Sequence, residues 1–226
     1  MSDRALVRDV ERSLIAIDGL DGSGKSQFAR ALAAACEAES GAPVFVFRVD
    51  DFRRPLGSLP PDADEATVYY ERYYDFALLD ACLRRFLAGA PAASIPRFDT
   101  AREVLEGEQP LEFGDARLAL VEGVFPLRAS ATAEGALVLL EVSEDEARRR
   151  ILARDMARGR SRDVVEHRMN SRYFPAQHAY RAAFDPVRRA DVIVDNEHWE
   201  RPRLLRRETN RLPRAVENAL ARVVRS

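Results

Sequence analysis

Short apolar runs separated by longer amphipathic stretches organise the chain. Residues 13–17 read Ser-Leu-Ile-Ala-Ile, and runs at 44–49, 118–121, 137–142 and 191–194 have the same texture. Such runs, with little polar alternation, mark strands covered on both faces. Between them apolar residues recur every three or four positions. This predicts an Ala-rich helix over 27–39, one helix over about 67–87, and helices over about 144–158 and 163–183. Strands alternating with helices imply an α/β fold, a doubly wound parallel five-stranded sheet with ligands at the carboxyl ends of its strands. Residues 56–66 read as an exposed loop suited to shaping a pocket entrance. Residues 201–226 read as a polar connection and then a short amphipathic helix from about Pro213, a C-terminal extension suited to packing, to an oligomer contact or to an anionic partner.

Composition narrows the class. With 226 residues, 46% apolar and 32% charged, the chain is expected to be one domain, 1–226, with enough core to need neither disulfides nor a structural metal. Cys36 and Cys82 are far apart and form no CxxC or Cys/His cluster, so a zinc site and a disulfide framework are disfavoured. The first apolar run is too short for a signal peptide or a membrane span, and a cytoplasmic setting without membrane contact is expected. Net charge is −2, yet residues 148–172 hold nine arginines against three acids, and residues 201–226 hold eight against two. That asymmetry points to an anionic ligand.

Of the 35 basic residues, Lys25 alone is lysine. It stands in Gly19-Leu20-Asp21-Gly22-Ser23-Gly24-Lys25-Ser26, which satisfies G-x-x-x-x-G-K-[ST] between a predicted strand and a predicted helix. The glycines let backbone N–H groups from Gly22, Ser23, Gly24, Lys25, Ser26 and Gln27 curl around phosphates at a helix N-terminus. Lys25 would reach the β- and γ-phosphates, and the Ser26 hydroxyl would ligate Mg²⁺. The sheet is therefore expected to be of the P-loop nucleoside triphosphate hydrolase type, with ATP and Mg²⁺ as cofactors. A switch GTPase is disfavoured, because an N-K-x-D tetrad needs a second lysine.

Two acidic sites end predicted strands: Asp50-Asp51 after 44–49, and Glu122 after 118–121. Phosphoryl transfer needs one carboxylate near the acceptor hydroxyl and another at Mg²⁺ or its waters. The alternative, open for Asp50 and more so for Asp51, is a cap on the next segment. Gly123 beside Glu122 suits close approach of a ligand.

With these residues in view, the sequence resembles the uridine kinase-like family of P-loop kinases over residues 13–196. The likeness rests on the Gly19–Ser26 loop, Asp50-Asp51-Phe52 and Tyr74-Asp75-Phe76. It continues in Ile95-Pro96-Arg97-Phe98-Asp99, Glu122-Gly123-Val124-Phe125, Arg154-Asp155 with Arg158-Gly159-Arg160, and Ala190-Asp191-Val192-Ile193. The resemblance implies a kinase with a nucleoside-like acceptor, Asp50 as catalytic base, and Glu122 with Ser26 at magnesium. It also implies that Arg154, Arg158 and Arg160 belong to an Arg-rich helical lid, about 150–165, closing over the phosphates. Two departures bear on the acceptor. The family's Tyr after D-x-F is Arg53, and the His that follows the I-P-x-Y-D segment in uridine/cytidine kinases is absent. With Arg53 on a solvated loop, activity spread over several nucleosides is expected; an Arg53 that meets ligand implies an anionic acceptor.

Ser143 with Glu146 reads as a capping box, and Arg148 and Arg149 as part of a well-built helix. Arg150, Arg154 and Arg158 share one face at i, i+4 and i+8. Tyr69, Tyr70, Tyr73, Tyr74 and Phe76 lie at helical spacing, which suits core packing; alternatively a ring such as Tyr69 flanks the acceptor, with Phe98 opposite. The expected partner is a small-molecule acceptor, with a homo-oligomer conceivable. A rival function is a regulatory ATPase that uses its Arg-rich C-terminus on nucleic acid, which is less expected.

Overall fold

The computed structural model describes residues 11–55, 64–208 and 211–224. Five parallel strands form the centre: β1 (Ser13–Gly19), β2 (Val44–Arg48), β5 (Leu118–Glu122), β6 (Ala136–Glu141) and β7 (Val192–Asp195), in the order β2-β5-β1-β6-β7. A sixth strand, β8 (Arg203–Arg207), adds antiparallel to β7. The connection expected at 201–212 thus contains a strand. Exposed Arg203, Leu205 and Arg207 alternate with half-buried Leu204 and Arg206, the pattern of an edge covered on one face.

Apolar strands dictate layers on both faces. On one face β1 and β6 pack Ile15, Ile17, Val138 and Leu140 against α1 (Lys25–Ser40) and α8 (Arg214–Val223). On the other, Leu14, Phe47, Ala119 and Val121 meet α3 (Phe76–Leu87) and the aromatic cluster around Phe86 and Phe113. Burying one such Phe or Leu contributes about 1.5–3 kcal/mol.

The helix expected over 67–87 is two helices, α2 (Glu65–Glu71) and α3, and the break has a cause. The Asp75 carboxylate accepts from Leu78 N at 2.9 Å, while Asp75 N donates to Phe52 O at 2.7 Å. An N-cap inside the apolar run therefore restarts the helix and ties it to the segment after β2. Helix 163–183 likewise resolves into α5 (Arg162–Arg168), a π turn over Met169–Tyr173 and α6 (Phe174–Phe184). A short helix, α7 (Pro186–Arg189), leads into β7.

Sequence patterning missed an antiparallel hairpin, β3 (Ala92–Asp99) with β4 (Val104–Glu112). Of the loop expected at 56–66, residues 56–63 lie outside the described residues, and Asp64 caps α2 by accepting from Thr67 N. No helix among the described residues is long and apolar enough to cross a membrane.

Candidate active site

The carboxyl ends of β1, β2 and β5 open into a cleft of about 930 Å³. That is room for a nucleoside triphosphate and a second small molecule. β1 delivers the loop between it and α1. Gly22 has φ +79°, and a Cβ there would sit 2.6 Å from Ala147 O of α4 (Glu144–Ala157), so only glycine lets the loop turn against that helix. Ser23 N donates to Leu20 O at 3.0 Å, closing the turn, and the Ser23 side chain is fully buried behind the loop. Its Oγ has no partner among the described residues, so Ser23 contributes backbone rather than side chain to the loop.

Lys25 is 7% exposed, and its Nζ donates to Gly19 O at 2.9 Å and Leu20 O at 2.8 Å. These partners are neutral, and Lys25 makes no salt bridge to any described residue. Its charge acts on the nearby buried carboxyls of Glu122 and Asp18 without a direct ion pair to either. Gly24, Ser26 and Gln27 line the cleft beside it.

The Ser26 Oγ donates to Glu122 Oε2 at 2.8 Å. Burial pushes the Glu122 carboxyl above its usual value, against the opposing hydrogen bond from Ser26 and charge of Lys25. A hydroxyl and a carboxylate together at the foot of a phosphate loop fit Mg²⁺, which takes one or two protein oxygens and keeps waters and phosphate oxygens for the rest. Gly123 lines the cleft and has a packing task besides. A Cβ there would lie 2.5 Å from Val49 Cβ, so the glycine serves the packing of β5 against the end of β2.

Asp50 and Asp51 occupy a 3₁₀ turn, Val49–Phe52, directly after β2. They separate as their neighbours require. Asp51 pairs with Arg48 through two bonds of 3.0 Å each, an exposed structural pair. Asp50 is exposed to the cleft, and its Oδ1 accepts from the Tyr74 hydroxyl at 3.0 Å. Tyr69 and Tyr74 are each 5% exposed, so their rings are core, as the stripe suggested, while their hydroxyls face acids. Tyr69 donates to Asp21 at 3.1 Å. Burial, with the charges of Asp21 and Asp50, holds both phenols well above their usual pKa, so both remain donors. Tyr74 was read in the aromatic stripe and in the Tyr74-Asp75-Phe76 motif, without a role at Asp50; that motif was the available signal.

Arg53 departs from the solvated loop residue expected. Its guanidinium lies 4.9 Å from the Tyr73 ring and 4.8 Å from the Phe98 ring, it donates to the Tyr73 hydroxyl, and its buried Nε has no partner among the described residues. A cation stacked between two rings is fixed in direction. Phe98, on β3, therefore offers one ring face to Arg53 rather than to an acceptor.

The arginines of α4 divide. Arg150 is structural: it bonds Glu146 and the carbonyls of Asn196 and Glu197, the latter two at 2.8 Å. Arg148 and Arg149 pair with Glu144 and Glu146 as a helix surface does. The capping box is half formed. Ser143 Oγ accepts from Glu146 N, but the reciprocal acceptor at Ser143 N is Glu197 at 2.7 Å, because Glu146 is taken by arginines. Arg154 and Arg160 both bond the fully buried Asp155 at 2.7 Å. Burial raises that carboxyl, and the two guanidiniums outweigh it to hold it below its usual value. Arg158, at the end of α4, has no carboxylate within salt-bridge distance among the described residues. All three line the cleft above the loop.

The sequence profile of the Phosphoribulokinase / Uridine kinase family matches residues 14–199. The chain belongs to that family. Solved structures agree with the fold. One, from Bacillus stearothermophilus and described as a possible uridine kinase, superposes with a TM-score of 0.63 at 22% identity, covering 83% of this chain and 91% of that one. Another, from Silicibacter sp. TM1040 and described as a candidate fructose transport system kinase, gives 0.61 at 25% identity over 80% and 88% of the two chains. No curated protein sequence matches the chain. The family and the fold mark a small-molecule P-loop kinase, a phosphotransferase.

Proposed function

We propose that this kinase transfers the γ-phosphoryl group of ATP, with Mg²⁺, to a hydroxyl of a nucleoside-like small molecule. The observation that carries the reading is the Ser26–Glu122 pair in one cleft with the buried Lys25 and a tyrosine-held Asp50. In this arrangement Lys25 binds the β- and γ-phosphates, and Asp50 accepts the proton of the attacking hydroxyl. The acceptor oxygen forms the new P–O bond as the bond to the β-phosphate oxygen breaks, leaving ADP. Ser26 and Glu122 would hold Mg²⁺, which would supply charge neutralisation on the phosphoryl oxygens. Arg158 and, when released from Asp155, Arg154 and Arg160 add cations over the phosphates as a lid.

A second acceptor reading has its own support. Arg53, a cation that lines the cleft and is held against Tyr73 and Phe98, suits an acceptor that carries a carboxylate or phosphate group. Measuring kcat/KM for uridine, cytidine, adenosine, guanosine and an acidic sugar, in wild type and Arg53→Ala, separates the two. Nucleoside-like acceptance predicts activity on several nucleosides within about a hundredfold and a small effect of Arg53→Ala. An anionic acceptor predicts a preference for the acidic sugar that Arg53→Ala abolishes. ADP release that responds to nucleic acid and to no small acceptor would refute both readings.

A further inference from the structure

One end of the cleft is left unused by the roles above. Trp199 is the only tryptophan in the chain and, at 52% exposure, the only exposed aromatic residue among those described. It lines the same cleft as Gly24, Arg30 and Arg150. Its exposure is not that of a loose segment. Asn196 N donates to Glu141 O at 2.8 Å, Glu197 N to the Asp195 carboxylate at 2.9 Å, and Arg201 N to His198 O at 2.7 Å. The Asn196 amide also donates to Ser23 O at 2.7 Å, fastening this turn to the phosphate loop itself. A large apolar ring held out in a cleft by an ordered backbone is suited to a ligand's flat face.

Topology says which ligand part that is. Asp50 follows β2 and Trp199 follows β7, and each strand lies two places from β1, on opposite sides. Four strand spacings put the two ends about 19 Å apart, too far for one small acceptor to touch both. Ser26, Glu122 and Asp50 mark the β5–β2 side as the one where the transferred phosphoryl group sits. A triphosphate laid along the loop therefore leaves its nucleoside on the β6–β7 side. Trp199 is three residues beyond the loop-bound Asn196, hence within about 10 Å of it along the chain, the length of a nucleoside.

We propose that the indole of Trp199 is the platform on which the base of the nucleoside triphosphate stacks, an assignment that rests on the phosphate-loop reading above. Stacking is indifferent to base identity, so ATP and GTP bind within about tenfold of one another. The test uses calorimetry with Mg·ATP, Mg·GTP and Mg·tripolyphosphate on wild type, Trp199→Ala and Trp199→Phe, with intrinsic fluorescence of the wild type as a direct report from the single indole. ATP and GTP are expected to change the fluorescence, and tripolyphosphate, which has no base, to leave it unchanged. Trp199→Ala is expected to weaken ATP about ten- to a hundredfold, while tripolyphosphate stays within about twofold and Trp199→Phe restores most of the loss. ATP affinity equal in wild type and Trp199→Ala would overturn the platform and leave the phosphate loop standing. Equal weakening of ATP and tripolyphosphate would overturn it too, since the turn would then act through Asn196 on the loop. Failure of wild type to bind either ligand would overturn it together with the phosphate-loop reading.

Discussion

Asp18 lies one residue before the phosphate loop and is 2% exposed, with Oδ1 accepting from Gly19 N at 2.7 Å and Oδ2 from the Tyr180 hydroxyl at 2.6 Å. Burial raises its pKa from 3.8 to about 6, against the two hydrogen bonds and the charges of Lys25 and Arg181. A carboxyl raised in the folded state contributes stability that is fully present below its unfolded value. That contribution is lost as pH rises through the folded value, here between about 4 and 6. Two pKa units correspond to about 3 kcal/mol, so at neutral pH the ionised Asp18 costs on the order of that much. Asp18→Asn removes the buried charge. Its amide oxygen can keep the Gly19 N bond and its NH₂ can donate to the Tyr180 oxygen, but the Tyr180 proton then loses its acceptor, a cost of about 1–2 kcal/mol. The net expectation is a variant about 1–2 kcal/mol more stable than wild type at pH 7.5, with the advantage gone or reversed by pH 4. Urea unfolding of both proteins at the two pH values reads this directly. A variant less stable than wild type by the same margin at both pH values would refute the reasoning, because it would mean that the two hydrogen bonds fully offset the burial of the charge.

Lys25→Arg is expected to lose activity nearly as completely as Lys25→Ala, since a pocket made by Gly19 O and Leu20 O suits a point charge and a planar fork displaces the phosphates; steady-state turnover checks it. Asp50→Asn is expected to lower kcat by about 10²- to 10⁴-fold with nucleotide affinity retained, whereas Asp51→Asn, which loses only an exposed pair with Arg48, changes kcat by less than about threefold. Gly22→Ala forces a Cβ against Ala147 O at positive φ, so it is expected to destabilise by about 1–3 kcal/mol in thermal unfolding and to weaken tripolyphosphate binding in the same preparation.

Where burial is one-sided or complete, the chain announced its structure. The five apolar runs are the five parallel strands to within two residues at either end, and Lys25 marks the loop because no other position needed its chemistry. The hairpin was hidden for the opposite reason. Across β4 only Leu111 is buried, so no alternation distinguishes it from a polar loop. β8 was masked because its alternation runs against residue type: Leu205 is exposed and Arg206 half-buried. The break between α2 and α3 was invisible to periodicity, because Tyr69, Tyr74 and Phe76 are buried on both sides of it and only the Asp75 cap reveals it. Asp50 and Asp51 were separable only by their partners, Tyr74 and Arg48, which lie at sequence distances no local pattern relates. Arg53 was misread as solvated because its two aromatic neighbours come from different elements, the turn after α2 and strand β3.

The buried Asp155, shared by Arg154 and Arg160, has a consequence for how the empty protein meets the ions around it. Drawing one arginine onto a phosphate leaves the other to neutralise the carboxylate; drawing both strands a buried charge at a cost of several kcal/mol. Dissolved phosphate or sulfate, gripping at one point, has too little to offer for the second arginine. A ligand anchored along the whole loop brings enough binding energy to recruit it. On the proposed reading the carboxylate would act as a threshold: the arginines would gather over a seated triphosphate and not over small anions in an open cleft.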